Sequence, residues 1–101
     1  MNTLEIVTAF STAMEAMDFD EALKYVADDV EYRNGPNPPV HGPDGIRKEL
    51  EPFFAPIVEN RFEILRTVVK DGVVFSERRD HHRVAFDPKA DGWFTLPVTG
   101  V

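Results

Sequence analysis

Residues 62–84 read FEILRTVVKDGVVFSERRDHHRV, and this stretch carries the signals that decide the fold. Phe62, Ile64 and Val68 recur at even spacing among charged neighbours, and a period of two is typical of a strand that buries one face. Asp71-Gly72 then predicts a tight turn, because both residues tolerate the positive φ angles of two-residue hairpin turns. The residues after the turn resume the strand pattern, so the whole stretch is predicted to be a long antiparallel hairpin.

Two helices are predicted ahead of this hairpin, near the start of the chain. Apolar residues recur there at spacings of three and four, and Asn2 followed by Glu5 matches a capping box at the start of the first helix. The second helix is short and is predicted to begin at Asp18 or Asp20. The second helix is predicted to bury Leu23 and Val26. The residues that share one stripe of the first helix are Leu4, Val7, Phe10 (or Ser11), Met14 and Met17.

Between the second helix and the hairpin the chain is predicted to be extended, then irregular, then helical. Residues 30–34 have the pattern of a short strand. Residues 35–43 are rich in proline, which lacks a backbone donor, and this excludes both a helix and a central strand there. A third helix is predicted from Asp44 to about Phe54. Its apolar residues at helical spacing are Ile46, Leu50 and Phe53.

A third long strand is predicted at the end of the sequence. Asp87-Pro88 and Asp91-Gly92 bracket a loop, and residues 93–101 have a strand pattern. Helices followed by a run of antiparallel strands indicate an α+β fold, with about three helices packed on the concave face of a curved antiparallel sheet. We expect residues 1–101 to form a single domain. The apolar pattern runs on to Val101, which favours a further, last strand beyond it over a genuinely short protein.

Composition argues against several classes of function. The formal net charge of the 101 residues is -7, which disfavours nucleic acid or an anionic membrane surface as the main partner. The absence of Cys excludes disulfides, thiolate metal sites and Cys nucleophiles. His81 and His82 are adjacent and point to opposite faces of a strand, so we expect neither a metal site nor a cofactor. The start of the chain has no signal-peptide pattern, and the expected location is the cytoplasm.

The returning strand of the hairpin places four polar side chains on one face. Ser76, Arg78, Asp80 and His82 are two residues apart, and alternate residues of a strand share a face. An Arg two residues before an Asp can form a charge-assisted pair. Taken alone, the strand favours an exposed ion pair, since charged residues are mostly exposed. The alternative is a buried pair on the concave side of the sheet, at a cost in desolvation.

Tyr32 and Asn34 form a second group of polar side chains, at the end of the predicted first strand. Their hydroxyl and amide groups can together hold a small polar molecule such as water. Taken alone, these residues favour a simpler interpretation. Tyr32 is then a half-buried core residue, and Asn34 is a turn residue because it precedes Gly35.

Two motifs, considered together, point to one family. Residues 32–39 read YRNGPNPP, a Tyr-x-Asn-x-Pro-x-x-Pro stretch that is followed by Gly42 and by Asp44 at the start of a helix. Residues 77–80 read ERRD, a Glu-Arg-x-Asp motif on a central strand. In this order and spacing the motifs resemble the limonene-1,2-epoxide hydrolase family over nearly the whole chain. The resemblance implies a cone-shaped fold of the NTF2-like or cystatin-like kind, which SnoaL-like and ketosteroid-isomerase-like proteins share.

The resemblance also implies a role for each matched residue. Tyr32 and Asn34 would hold a water, Arg78 would bridge two carboxylates, and Asp80 would be the general acid that protonates the epoxide oxygen. In the family the general base is a second Asp on the next strand, and residues 1–101 contain no counterpart of it. The implied reaction is a one-step addition of water to a small apolar epoxide, without a metal, a cofactor or a covalent intermediate.

Two other classes of function stay open at this point. An isomerase or cyclase of the ketosteroid-isomerase-like or SnoaL-like kind needs a carboxylate base near the end of the first strand, where Glu31 points away from Tyr32 and Asn34. The other class is a non-catalytic module that binds a small ligand or dimerises. A chain of this size gains stability from a partner, and we expect a homodimer formed through the sheet.

Overall fold

A three-stranded antiparallel sheet with helices packed on one face is the main feature of the computed structural model, which describes residues 1–86 and 91–101. The elements are α1 (Thr3–Glu15), α2 (Phe19–Ala22), a 3-10 turn (Leu23–Tyr25), β1 (Glu31–Tyr32), β2 (Val40–His41), α3 (Gly42–Phe54), β3 (Ile57–Lys70), β4 (Val73–Val84) and β5 (Trp93–Gly100). The sheet order is β3-β4-β5, and β1 and β2 form a separate ladder. The predicted α+β class is confirmed. The predicted loop signal Asp87-Pro88 lies outside the described residues.

β3 and β4 form the predicted long hairpin, and its turn has the predicted chemistry. Lys70 pairs with Val73, so only Asp71 and Gly72 connect the two strands. Both connecting residues have positive φ angles, 52° and 74°. A two-residue turn of this kind has the backbone twist that suits a pair of antiparallel strands.

A β-bulge between Ile64 and Arg66 changes which side chains of β3 face the helices. On one side of the bulge, Phe62 lies opposite Asp80 and shares its helix-facing side. Beyond the bulge the alternation is displaced by one residue, so Val68 lies on the other face of the sheet. The prediction that Val68 shares a face with Phe62 and Ile64 is therefore wrong, because a period of two does not reveal an extra residue.

The core lies between the helices and the adjoining face of the sheet. α1 begins at the predicted capping box, where the Asn2 side chain accepts from the Glu5 backbone at 2.8 Å and the Glu5 carboxylate accepts from the Asn2 backbone. The Asp18 side chain caps α2 by accepting from the backbone of Glu21 at 3.1 Å. The buried apolar residues of the core are Ala13, Met14, Ala22, Ile46, Leu50, Phe54 and Ile57. No helix in the described parts of the chain is long and apolar enough to cross a membrane.

The region between β1 and α3 differs from the prediction in two respects. The first strand ends at Tyr32, which pairs with Val40 of β2, so the predicted strand is too long. α3 begins at Gly42, two residues earlier than predicted, with Pro43 in its first turn. A proline there leaves no hydrogen bond unmade, because the first N–H groups of a helix have no partner within it. Excluding all of residues 35–43 from a helix is therefore wrong at the end of that segment.

Three of the apolar residues at helical spacing lie outside the buried core. Leu4 and Val7 are exposed, because they border a groove between the first half of α1 and the β3–β4 hairpin. At the end of α3 it is Phe54 that is buried, whereas Phe53 is 39% exposed and packs its ring against His82. Helical spacing indicates the side of a helix that faces the protein, but not where along its length the contact occurs.

Ile46 and Ile64 provide a matched test of this core. Ile46 in the first half of α3 is 1% exposed, whereas Ile64 on β3 is 56% exposed. We expect Ile46→Ala to lower the free energy of unfolding by about 2–5 kcal/mol, because it removes buried methyl groups and leaves a cavity. Ile64→Ala should cost less than about 1 kcal/mol. Urea denaturation of both variants measures the difference, and equal losses would contradict the placement of the core.

Candidate functional site

A cleft of about 780 Å³ opens between the helices and the helix-facing side of the sheet. Small-molecule sites in proteins typically measure about 300–1,000 Å³ and are lined mostly by apolar side chains. The apolar residues that line this cleft include Phe10, Met14, Leu50, Phe53, Phe54, Phe62 and Leu96. The fold therefore provides room for a small and largely apolar molecule.

Arg78 and Asp80 form a two-point ion pair in this cleft. Arg78 Nε donates to Asp80 Oδ1 at 2.6 Å, and Arg78 Nη2 donates to Asp80 Oδ2 at 3.1 Å. Asp80 is only 7% exposed, the Arg78 side chain is 29% exposed, and the guanidinium carbon lies 5.3 Å from the centre of the Phe62 ring. The sequence left open whether this ion pair is exposed or buried, and in the structure it is buried. The alternation predicted for β4 is also confirmed, because Ser76 and His82 line the same cleft.

Tyr32 and Asn34 reach the cleft from the loop side. Tyr32 is half-buried at the end of β1, and burial is the main cause that raises the pKa of its hydroxyl, with Arg78 acting in the opposite direction. The hydroxyl thus remains a hydrogen-bond donor at neutral pH. Asn34 lies beyond the strand and is exposed, with its backbone oxygen accepting from Asn37 at 3.2 Å. Asn34 is therefore a turn residue that also borders the cleft.

His82 is a candidate residue whose importance the sequence did not reveal. It is 2% exposed, it lines the cleft beside Asp80, and its Nδ1 lies 2.7 Å from Asn60 Oδ1. Burial lowers the pKa of His82, so the ring is neutral at pH 7. Its place on the same face as Arg78 was visible in the sequence. Its partner Asn60 was not, because that residue lies 22 positions away on β3.

The opposite face of β4 carries exposed charges that lie outside the cleft. Arg83 pairs with Glu59 at 3.1 Å, and His81 lies 3.1 Å from Glu63. These pairs are cross-strand contacts in solvent, which contribute little to stability.

Within residues 1–86 and 91–101, no group of three or more His, Asp and Glu side chains is arranged to hold a metal ion.

This arrangement of helices on a curved sheet is that of SnoaL-like and cystatin-fold proteins. A putative SnoaL-like polyketide cyclase from Shewanella putrefaciens CN-32 superposes on 96% of the chain, with a TM-score of 0.80, 15% identity and 74% of its own length covered. A putative polyketide cyclase from Xanthomonas campestris pv. campestris gives a TM-score of 0.78 at 23% identity, covering 96% of this chain and 76% of the other. At such identities the likeness shows the fold alone.

A third solved structure has the same fold, and a family model shows the family. The LEH-like epoxide hydrolase of M. tuberculosis covers 97% of the chain with a TM-score of 0.75 at 22% identity. The chain spans 66% of that protein's length, just under two thirds. The model of the limonene-1,2-epoxide hydrolase catalytic domain matches residues 1–101. The chain therefore belongs to the limonene-1,2-epoxide hydrolase family.

The buried ion pair makes a testable contribution to stability. We expect Arg78→Met to lower the free energy of unfolding at pH 7 by about 2–4 kcal/mol, because it leaves the Asp80 carboxylate buried without a counter-ion. The matched control is Arg66→Met. Arg66 is 76% exposed in its pair with Glu77, so its loss should cost less than about 1 kcal/mol.

Urea denaturation measures both losses, and a double variant separates charge from packing. In Arg78→Met/Asp80→Asn no uncompensated charge is left, so most of the lost stability should return. An equal loss in the double and single variants would show that the ion pair itself is not the cause.

Proposed function

We propose that the cleft binds a small, largely apolar epoxide and adds water to it in one step, which gives a vicinal diol. The observation that carries this proposal is the Arg78–Asp80 pair, held inside an otherwise apolar cleft. An epoxide has one polar atom, its oxygen, in an otherwise apolar molecule. The cleft matches it, because its walls are apolar and the carboxyl group of Asp80 is its acidic group. The family membership and the name of the M. tuberculosis neighbour support the same reaction.

Asp80 is the proposed general acid. When protonated, its carboxyl group donates a proton to the epoxide oxygen as the carbon–oxygen bond breaks, and the developing alkoxide leaves as a hydroxyl group. Arg78 engages both carboxylate oxygens, and this two-point contact holds Asp80 in one orientation. The same guanidinium stabilises the carboxylate that forms once the proton has left.

Tyr32 and Asn34 are proposed to hold the attacking water. The Tyr32 hydroxyl stays protonated because burial raises its pKa, so it can donate to the water oxygen. The Asn34 amide borders the cleft from the neighbouring loop and offers both a donor and an acceptor. Water fixed in this way attacks a ring carbon from the side opposite to the breaking bond and needs a base for its proton.

A SnoaL-like cyclase is the second candidate. The observation that favours it is the nature of the structural neighbours, several of which are described as putative polyketide cyclases. The cleft volume of about 780 Å³ is also large for a small epoxide. Ring closure moves protons at carbon and adds no water to the product. Hydration of an epoxide, in contrast, places the oxygen atom of a water molecule in the product.

Labelled water distinguishes these candidates from each other and from a binding module. The full chain is incubated with a small alicyclic epoxide in H₂¹⁸O, and both the diol and the intact protein are analysed by mass spectrometry. We expect one ¹⁸O atom in the diol and none in the protein, because no enzyme ester forms. Isomerised or cyclised product without label would support the second candidate, and binding without any reaction would support a non-catalytic module.

Substitution of Asp80 tests the proposed acid. Asp80→Asn should reduce diol formation by about 10²–10⁴-fold, because the amide cannot donate the required proton. Glu77→Gln is the matched control, since Glu77 lies on the same strand but pairs with Arg66 on the exposed face. It should retain the activity of the original chain. Circular dichroism checks that both variants fold, and full turnover by Asp80→Asn would rule out the assignment.

A further inference from the structure

A chain of hydrogen bonds fixes which nitrogen of the His82 ring carries hydrogen. Asn60 Nδ2 donates to the backbone oxygen of Glu15 at 3.2 Å, and only the nitrogen of an amide can donate. The Asn60 oxygen Oδ1 therefore faces His82, where it lies 2.7 Å from Nδ1. Because Oδ1 can only accept, the hydrogen of the neutral ring is on Nδ1. The other ring nitrogen, Nε2, is then an acceptor with a lone pair.

The side chains around His82 offer no hydrogen-bond donor to Nε2. The 2%-exposed residue is surrounded by four phenylalanines, whose ring centres lie 5.2 Å (Phe53), 6.0 Å (Phe54), 6.3 Å (Phe62) and 5.2 Å (Phe94) away from the imidazole. Among the described residues no hydrogen-bond partner reaches Nε2, and none of their fully buried side-chain nitrogens or oxygens lacks a partner. Nε2 therefore borders open space, and the space that His82 lines is the cleft.

Two other polar side chains of the cleft wall already use their hydrogens within the protein. Arg78 directs Nε and Nη2 at the carboxylate of Asp80. The Tyr25 hydroxyl donates to the Glu21 carboxylate at 3.0 Å. A molecule that fills the cleft displaces water from Nε2, and a buried acceptor that loses its partner costs free energy. The imidazole therefore favours a ligand that brings a donor of its own.

We propose that His82 is a specificity residue, and that the molecule bound in the cleft carries a hydroxyl group in addition to its epoxide. The inference rests on the proposed function and names the substrate class more closely. The hydroxyl group donates to Nε2 of His82, while the epoxide oxygen faces Asp80. A site that hydrogen-bonds a substrate hydroxyl discriminates against the analogue without it, because that analogue leaves a polar group of the protein unpaired.

The spacing of the two polar positions suits a hydroxylated ring compound. Asp80 and His82 are alternate residues on one face of β4, so their Cα atoms lie roughly 6.5 Å apart, about the length of a substituted six-membered ring. Phe53 and Leu96 line the cleft next to these residues and are 39% and 40% exposed. Phe53 lies against His82, and Leu96 pairs with Asp80. The carbon skeleton of the ligand would cover this exposed apolar surface.

Two epoxides that differ in one group test this selectivity. The first is 1,2-epoxycyclohexane with a hydroxymethyl group at carbon 4, and the second has an ethyl group there, which has a similar shape without a donor. The measured quantity is the ratio of kcat/KM for the first epoxide to kcat/KM for the second. In His82→Leu this ratio should fall about 10-fold relative to the original chain, because the acceptor is lost. Comparing ratios removes the unequal hydration of the two substrates.

His81→Leu is the matched control, because His81 lies on the opposite face of β4 beside Glu63. It should leave the ratio unchanged. A merely structural role for His82 would lower both kcat/KM values equally. If both epoxides give diol and His82→Leu keeps the original ratio, the role of His82 falls and the proposed hydration stands. If neither epoxide gives diol, the proposed function falls, and ligand binding decides the role of His82.

Binding of an unreactive alcohol tests the role of His82 in the unmodified chain and without turnover. With ¹⁵N-labelled histidine at pH 7, nuclear magnetic resonance should show a protonated Nδ1 and an unprotonated Nε2 for His82. Cyclohexylmethanol should shift the Nε2 signal, whereas its methyl ether, which has no hydrogen to donate, should not. The ring signals of His81 should respond to neither compound. A protonated Nε2 in the neutral ring, an equal response to both compounds, or no response to the alcohol would overturn the proposal.

Discussion

The two-point pair of Arg78 and Asp80 is the interaction on which the organisation of the cleft depends. Two charges on one strand face can leave bulk water only where neighbouring strands supply apolar cover. Phe62 and Leu96, which lie opposite Asp80 on the two flanking strands, provide that cover. The register of the hairpin therefore determines which side chains line the cleft, because a slip of one residue would turn every β4 side chain to the other face. The tight turn at Asp71-Gly72 fixes this register, and so it determines both the strand pairing and the side chains that face the cleft.

A second network connects the floor of the cleft to the packing of α1. Asn60 contacts the backbone of Glu15 at the end of that helix and the ring of His82 at the same time. The helix is held on the sheet partly by the side chain that orients the imidazole. Within the described residues, no fully buried side-chain nitrogen or oxygen lacks a hydrogen-bond partner. The cleft thus has two polar positions, the ion pair and the imidazole, within apolar walls.

Local signals predicted most of the fold and part of the site. The hairpin turn, the capping box at Asn2 and the shared face of Arg78 and Asp80 depend on residues close together in the sequence, and all were confirmed. The predicted face of Val68 was wrong because an inserted residue in β3 leaves no mark on composition. The start of α3 at Gly42 was missed because a proline-rich segment disfavours a helix in general, whereas a proline suits the first turn of one.

The sequence by itself determined the α+β class, the hairpin and the family motifs, since each follows from residue type and short spacing. Only the tertiary structure decided whether the Arg78–Asp80 pair was exposed or buried, because burial depends on helices far away in the sequence. The same holds for the burial of His82, because it depends on Asn60 and on phenylalanines that are distant in the sequence. The protonation of an imidazole depends on its hydrogen-bond partners and on its exposure to water. Both are properties of the packed chain.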